Sequence, residues 1–538
     1  MSEKIKIIFT TLLIEKSPQA LPLGAACVAS SVKHDPLTKD ITDVHLVPFN
    51  KEDSEYIKNS CTEEDGASYM AQKLMALKPS IVAFSVFVWN RTVLEKAAAI
   101  LQSNGIKTLC GGPEVTADPA SFKDFDKVCS GEGEYKIPLL IYELITGKAS
   151  QVQGDKNSNT EKEYDYQNLE SPYLDGTLDP SEFEGALWEL ARGCPFKCSY
   201  CYESKGEKKV RMFPMERIEK ELELFAKKKV PQVFVLDPTY NANKNRAMEL
   251  INKIAKKTPD TFYYFEARAE FIDRQLAHAF TKIPCSLQIG LQSADPNVLN
   301  LVNRPFNKAA FLKGINCLNQ EGAVFGLDVI YGLPGDSLQG FKNSVDFAIS
   351  QYPNNLELFC LSVLPGTDLH DRAESLNLVW EKHPPYHIIH TDKFSNEDIK
   401  KCNGIATACN VFYNDGRAVP WFNTILHALH IKASEFFVLF YKYMVSHKIP
   451  SDCREHKEIE KVQLQFIAEL FTQRKMDRMI FAAQDIISFN GAISRKIDTG
   501  KSETVQLHYP AEYIDSEYAM DLAFFIKNVQ KRSSKFTT

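Results

Sequence analysis

The chain has 538 residues, 44% hydrophobic and 25% charged, which is enough for about three or four domains and too apolar for a disordered or fibrous chain. Its 63 basic and 69 acidic residues leave a net charge of -6, so no global field attracts a phosphate backbone and nucleic acid is not an expected partner. No run of about 18 uncharged apolar residues occurs and acidic residues flank the short apolar run in MSEKIKIIFTTLLIEK, so membrane insertion and a signal peptide are not expected and the predicted location is cytoplasmic.

Residues 1–148 alternate apolar runs with amphipathic stretches: IKIIFTTL, LGAACVASSVK, DVHLVPF, MAQKLMALK, IVAFSVFVW, VLEKAAAILQSNG, IKTLCGG and KVCSGEGEYKIPLLIYELITG. This predicts an α/β domain of about five strand and helix units, a doubly wound parallel sheet. Such sheets bind ligands in loops at the carboxyl ends of their strands. Here those loops hold Trp89 and Asn90, then Gly111, Gly112, Pro113 and Glu114, then Gly131, Glu132, Gly133 and Glu134. Residues 149–184 are polar and rich in turn formers, which predicts an interdomain linker.

Residues 185–375 resume the alternation with ALWELARG, VFVLD, FYYFEAR, SLQIGLQS, VFGLDVIYGL and LELFCLSVL. Six such units predict a partial barrel. Residues 376–538 lose strand alternation, and HALHIKASEFFVLFYKYMVSHK and HKEIEKVQLQFIAELFTQRKMDRMIFAAQDIISF read as amphipathic helices of a mainly helical C-terminal domain.

Thirteen cysteines without a secretory signal point to thiol or metal chemistry rather than a disulfide framework. Cys194, Cys198 and Cys201 fall in ARGCPFKCSYCYE, a CxxxCxxC spacing directly after a predicted strand. Thiolates so spaced on a tight loop can meet three corners of an iron–sulfur cube and leave the fourth iron open to another ligand. Gly193 and Pro195 suit a loop that wraps closely. A zinc knuckle or three unconnected thiols are the other readings, although zinc commonly closes a four-ligand shell and no fourth Cys or His lies nearby.

With Tyr200 just before the last cysteine, this stretch resembles the signature loop of radical S-adenosylmethionine (radical SAM) enzymes. The resemblance implies a 4Fe-4S cluster on Cys194, Cys198 and Cys201, with S-adenosylmethionine chelated at the open iron and cleaved to methionine and a 5′-deoxyadenosyl radical. Tyr200 would contact adenine. Asp237 and Thr239, at the second strand end, would stand in for a more glycine-rich motif, unless Asp237 merely begins a helix. Glu266 and Arg268 share a strand face and would take ribose hydroxyls and the methionyl carboxylate, unless they form a barrel-interior ion pair. Gln288, Gly290, Gln292 and Ser293 on the fourth predicted barrel strand, and Gly332, Leu333, Pro334 and Gly335 after the next, complete the S-adenosylmethionine site by the same resemblance.

The first domain resembles the cobalamin-binding domain of cobalamin-dependent members of that family through PLGAACVASSV, AFSVFVWN, GGPEVTADP and SGEGE. Cobalamin contacts are then implied at Trp89, Asn90, Gly111, Gly112, Gly131, Glu132 and Gly133, the other reading being a Rossmann-like domain with ordinary turns. No histidine lies between Phe9 and Val32, so that loop offers cobalt no lower ligand. VLPGTDLHDRAESLNL and PPYHIIHTDKFSNEDIKKCNGIATACNVFYNDGR resemble an uncharacterised C-terminal extension of one subgroup.

The resemblance implies a methyltransferase acting on an unactivated carbon of a small-molecule or peptide substrate, with a low-potential donor such as flavodoxin or ferredoxin. Rearrangement, oxidation or cyclisation without methyl transfer, and a noncatalytic iron–sulfur or corrinoid carrier, are the alternatives. A basic stretch of Lys205, Lys208, Lys209 and Arg211, and another of Lys227, Lys228 and Lys229, offer a docking face for an acidic redox partner or are simply solvated charge. His383, His387 and His390 are read as a loop at the barrel mouth rather than a metal site, with Tyr386 or His387 able to line a pocket, and Cys402 and Cys409 as core. Replacing Cys198 with Ala should abolish the brown chromophore and S-adenosylmethionine cleavage together, as checked by absorbance and product chromatography under anaerobic conditions.

Overall fold

A computed structural model describes residues 4–148, 166–204 and 210–538. The first domain is a parallel sheet of five strands, β1 (Ile5–Thr10), β2 (Thr42–Leu46), β3 (Ile81–Ser85), β4 (Lys107–Gly111) and β5 (Lys127–Val128), in the order β2-β1-β3-β4-β5. Alternation along β1 sends Ile7 and Phe9 to one core and Ile8 to another. Helices α1 (Leu23–His34) and α4 (Gly133–Thr146) cover the first core, and α2 (Glu63–Ala76) and α3 (Arg91–Ser103) the second, so the sheet is doubly wound. A capping box of Thr62 and Asp65 starts α2, and Gly147 at φ +67° ends α4.

Six further strands run parallel in sequence order: β6 (Ala186–Trp188), β7 (Gln232–Val235), β8 (Phe262–Ala267), β9 (Cys285–Gln292), β10 (Phe325–Tyr331) and β11 (Asn355–Cys360). This is the expected open barrel. Residues such as Trp188, Val233, Tyr263, Leu287 and Val329 are buried under the helical layer, while Phe234, Tyr264, Glu266, Gln288 and Asp328 alternate with that set and stay accessible in the lumen. Accessible, partly polar lumen positions leave room for a ligand.

Leu21, Leu23, Ala26 and Cys27 join the barrel's core cluster, so the first domain packs directly on the barrel. The described part of the expected linker is a strap between them. Asp175 accepts from Ser30 Oγ (2.7 Å) on α1, and the Tyr173 hydroxyl donates to the Leu187 carbonyl (2.7 Å) in β6. Lys205, Lys208 and Lys209 lie outside the described residues.

The C-terminal domain is helical around the buried rings of Phe412, Phe422, Phe436, Phe440 and Phe466, with Cys402 and Cys409 fully buried as expected. Two long helices expected from periodicity are each broken. His430 at φ +54° separates Phe422–Leu429 from Ala433–His447, and residues 474–479, which include the 3-10 turn Asp477–Met479, separate His456–Gln473 from the helix beginning at Ile480. Two short antiparallel pairs, Val379–Trp380 with Ile388–His390 and Thr504–Leu507 with Ser534–Thr537, were not visible in the periodicity, because strands this short carry too few alternations. Among the described residues no helix is long and apolar enough to cross a membrane.

Gly112 adopts φ +111°, and a Cβ there would stand 2.6 Å from the Val86 carbonyl oxygen. Both the dihedral and the backbone contact demand glycine. Gly112→Ala should therefore destabilise the first domain by about 1–3 kcal/mol, read as a fall in its urea midpoint.

Candidate functional site

The thiol loop leaves β6 through the short strand Ala191–Arg192, which pairs antiparallel with Arg211–Met212. Gly193 turns at φ +89°, and residues 302–304 and 369 hold the loop from outside: Ser199 N–H donates to the Val302 carbonyl (2.9 Å), Asn303 Nδ2 to Lys197 (2.6 Å) and Leu369 N–H to Ser199 (2.8 Å). Cys198 is buried, and Cys194 and Cys201 are half-buried. Cys194 Sγ stands 3.9 Å from Thr239 Oγ1, and burial first, against the Arg304 charge, raises the Tyr200 phenol, with Cys198 among the further causes. Burial first, then the neighbouring Cys198 and Cys194, pushes the Cys201 thiol up to about 11.

Arg304, which the sequence reading missed, is the cation of this loop. It is 8% exposed, reaches Cys198 Sγ at 3.8 Å, donates to the Gly290 carbonyl, and leaves its buried Nε without a partner. Gly290 makes the approach possible, since a Cβ there would meet Gln292 Nε2 and Arg304 Nη2. Gln292, at φ +67°, lies over the same glycine with its buried Oε1 unpartnered.

Arg268 does not form the barrel-interior pair with Glu266, and its buried Nη1 has no partner among the described residues. It pairs with Glu270 (2.9 Å) rather than Glu266, donates to the Pro305 carbonyl (2.5 Å) and lies 4.1 Å over the Phe196 ring. With its charge balanced, it braces the thiol loop. Asp237 does not begin a helix: its Oδ1 accepts from the N–H groups of Leu190 (2.9 Å) and Ala191 (3.0 Å), clamping the strand that feeds the loop. Ser293 is fully buried, with its oxygen accepting from Asp295 N–H, Leu333 is fully buried, and Gly332 is pressed against Ile388 of the C-terminal extension. Within the protein, the side chains of Ser293 and Leu333 and the Cα of Gly332 are packed.

In the lumen, Glu266 and Gln288 are register partners across β8 and β9, and Asp328 and Glu357 across β10 and β11. Gln288 donates to Asp328. Asp328 is pushed up to about 7, by burial first and then by the Glu266 and Glu357 charges against the Gln288 hydrogen bond. Glu266 is open to the lumen yet walled by protein, and burial followed by the Glu203 charge raises its carboxyl. Asp328 is the one charged residue in VFGLDVIYGL, a sequence signal that was available; Arg304 had none.

At the strand ends of the first domain, Asn90 is buried: its Nδ2 donates to Thr11 Oγ1 (3.0 Å) and its Oδ1 accepts from Phe87 N–H (2.8 Å). Trp89 is 39% exposed, stacked on Phe87 at 4.6 Å, with its indole N–H on the Leu12 carbonyl (3.2 Å). Glu132 accepts from Tyr166 (2.7 Å) and Arg211 (2.6 Å), while a Cβ on Gly133 would meet Val28 at 2.9 Å. Of the implied cobalamin contacts, Asn90, Gly112, Glu132 and Gly133 are thus engaged within the protein, and Trp89, Gly111 and Gly131 are the freer set.

The loop chemistry fits an iron–sulfur cluster: three sulfurs close together and a guanidinium beside one of them. Among the described residues no three His, Cys, Asp or Glu side chains are grouped as a metal site. His383, His387 and His390 form no such group either, and His387 instead bridges Ser362.

Residues 188–348 match the family model described as Radical SAM superfamily, and residues 374–501 match one described as Protein of unknown function (DUF4080). The cobalamin-dependent radical SAM methyltransferase TokK of Streptomyces tokunonensis is 26% identical over 335 residues, 54% of this chain and 48% of TokK, so the chain spans about half that relative's length. The solved structure of the cobalamin-dependent S-adenosylmethionine radical enzyme OxsB with aqua-cobalamin bound has a TM-score of 0.58 at 14% identity, covering 98% of this chain and 85% of OxsB. That of the radical S-adenosylmethionine methyltransferase TsrM from Kitasatospora setae, with cobalamin and a 4Fe-4S cluster bound, has a TM-score of 0.55 at 12% identity over 71% of this chain and 82% of TsrM. The fold expected from the sequence, sheet, open barrel and helical extension, is the one these structures share.

The raised Asp328 carboxyl has a consequence for stability. The folded state keeps its proton to about pH 7 and the unfolded state loses it near 3.8, so between these values the group makes stability fall as pH rises. Asp328→Asn should remove that slope, raising the melting temperature relative to the parent more at pH 7.5 than at pH 5, as followed by differential scanning fluorimetry.

Proposed function

We propose that this radical SAM enzyme, a relative of cobalamin-dependent methyltransferases, holds a 4Fe-4S cluster on Cys194, Cys198 and Cys201 and methylates an unactivated carbon of a small-molecule or peptide substrate. The reading is carried by one placement: the thiol loop and the strand-end loops of the doubly wound sheet meet through Arg192, which donates to Glu134 at 2.6 Å two residues before Cys194. A cluster held by Cys194, Cys198 and Cys201 would supply the electron for reductive cleavage of S-adenosylmethionine, and cobalamin held at the strand-end loops would supply the methyl group.

The chain's own residues divide the binding work. Arg304, whose Nη1 reaches Cys198 Sγ at 3.8 Å and whose buried Nε is unpartnered, would share the carboxylate with Arg268, whose buried Nη1 is also unpartnered although Glu270 pairs with the same guanidinium. Tyr200 offers an aromatic face beside the thiols, and Thr239 a hydroxyl. Glu266, Gln288, Gln292 and Asp328 present acceptors and amides to ribose hydroxyls and an ammonium group. Trp89 and the Gly111 and Gly131 backbones are the contacts proposed for cobalamin, without a histidine ligand from the loop after β1. A cytoplasmic setting and a flavodoxin or ferredoxin donor belong to the same proposal. Lys228 is paired with Asp179 at 2.6 Å, which weakens the Lys227–Lys229 stretch as a docking face.

Anaerobic reconstitution with reduced cobalamin, S-adenosylmethionine and a strong reductant tests the reading. Both S-adenosylhomocysteine, dependent on cobalamin, and 5′-deoxyadenosine are expected; deoxyadenosine alone would leave a radical enzyme that does not transfer methyl. Arg304→Gln should weaken S-adenosylmethionine binding at least about tenfold with iron content near the parent's, since about 1.4 kcal/mol is tenfold and a charge-assisted pair exceeds that.

A further inference from the structure

We propose that Tyr386 is the positioning residue by which the C-terminal extension holds the Gly111–Glu114 loop of the doubly wound sheet at the barrel mouth. Its hydroxyl donates to Glu114 Oε2 at 2.8 Å across 272 residues of sequence, and both side chains are buried. Arg91 Nη1 completes the contact, 3.3 Å from the same carboxylate oxygen and 3.4 Å from the phenol. Arg91 is itself held by Glu95 (3.0 Å), Ser121 (2.9 Å) and the face of Phe122 (4.5 Å).

The other end of the strap is fixed to the barrel. Val363 N–H donates to the Tyr386 carbonyl and Ile388 N–H to Leu361, both at 2.9 Å, which lays residues 386–388 along the chain leaving β11. Ile388 packs on Gly332, and Lys393 Nζ reaches the Gly335 carbonyl at 3.1 Å. Tyr386 sits at φ +60°, a conformation that a bulky residue holds only when its surroundings over-determine it. Its placement therefore follows from contacts on both sides of the domain boundary.

Arg192 pins the fifth loop of the sheet to the barrel through Glu134, and Tyr386 pins the fourth through Glu114. These two polar contacts hold neighbouring strand-end loops over the mouth, in addition to the packing of Leu21, Leu23, Ala26 and Cys27 on the barrel core. A buried carboxylate shared by a phenol and a guanidinium resists opening, because separation strands the charge in the protein. The pin itself is independent of any cofactor, whereas its value to the reaction rests on the reading that these loops border cobalamin. There it would fix the distance between the two cofactor sites, on which transfer geometry depends steeply.

The test is hydrogen exchange on the full-length, cofactor-free chain, following peptides that cover residues 107–118. Tyr386→Phe and Glu114→Gln should each speed exchange there about tenfold, the double variant should do no more than either single one, and peptides from β8 and β9 should not change. Unchanged exchange in Tyr386→Phe, which keeps the ring, would overturn the proposal; additive effects would also overturn it, since a shared contact gives coupling in the cycle. Should Glu114→Gln not fold, Arg91→Met takes its place in the cycle. In the reconstituted enzyme, Tyr386→Phe should lower S-adenosylhomocysteine formed per deoxyadenosine severalfold. If the parent forms no S-adenosylhomocysteine, the methyl-transfer reading fails while the exchange result still decides the pin.

Discussion

The half-buried guanidinium of Arg192 joins the two α/β units at the site. It donates to Glu134 at 2.6 Å and Glu189 at 2.9 Å, with Glu132 at 3.8 Å and the rings of Tyr166 and Phe213 each about 5.5 Å away. Burial alone would raise the Glu134 carboxyl, but Arg192 holds it below its ordinary value. Arg211, the register partner of Arg192, reaches Glu132 at 2.6 Å, so the strand pair that starts the thiol loop also grips the fifth loop of the neighbouring sheet. Removing one partner of such a buried network commonly costs about 3–5 kcal/mol, because the remaining charges lose their compensation. The thiol loop thus inherits its orientation from an electrostatic joint between domains.

The elements themselves were legible in the sequence because their signals are local. Period-two alternation in FYYFEAR and SLQIGLQS places Tyr263, Phe265, Leu287 and Ile289 on the buried face. The same alternation placed Glu266 and Gln288 together in the lumen. Periodicity failed where a single residue leaves the helical region, as at His430, since an apolar stripe continues across such a break.

The task of each site residue was less legible, because it depends on partners remote in sequence. Arg268 shares a strand face with Glu266, yet Glu270, Pro305 and Phe196 capture it. Asp237 looks free in VLDPT but is spent on the N–H groups of Leu190 and Ala191. Several glycines credited to a cofactor serve neighbouring side chains, as Gly133 does for Val28 and Gly332 for Ile388. In each case the residue type announced an unusual environment, and only the fold showed whether protein or ligand creates it.

The lumen's charge balance narrows what it can bind. Glu266 and Asp328 are both raised and Glu357 faces Asp328 in register, so the interior disfavours added anionic charge and rewards a cation. The Arg304 guanidinium lies at the thiol loop with its Nε unpartnered, near enough to Asp328 for its charge to offset part of the rise of that carboxyl. S-adenosylmethionine divides its charges in the same way, with a sulfonium and an ammonium group beside one carboxylate. Were S-adenosylmethionine to bind with its amino-acid end toward Arg304, its sulfonium would lie toward the acids, whereas the reverse orientation would bring its carboxylate against them in a poorly solvated space. Electrostatics would then favour the orientation that meets the thiols.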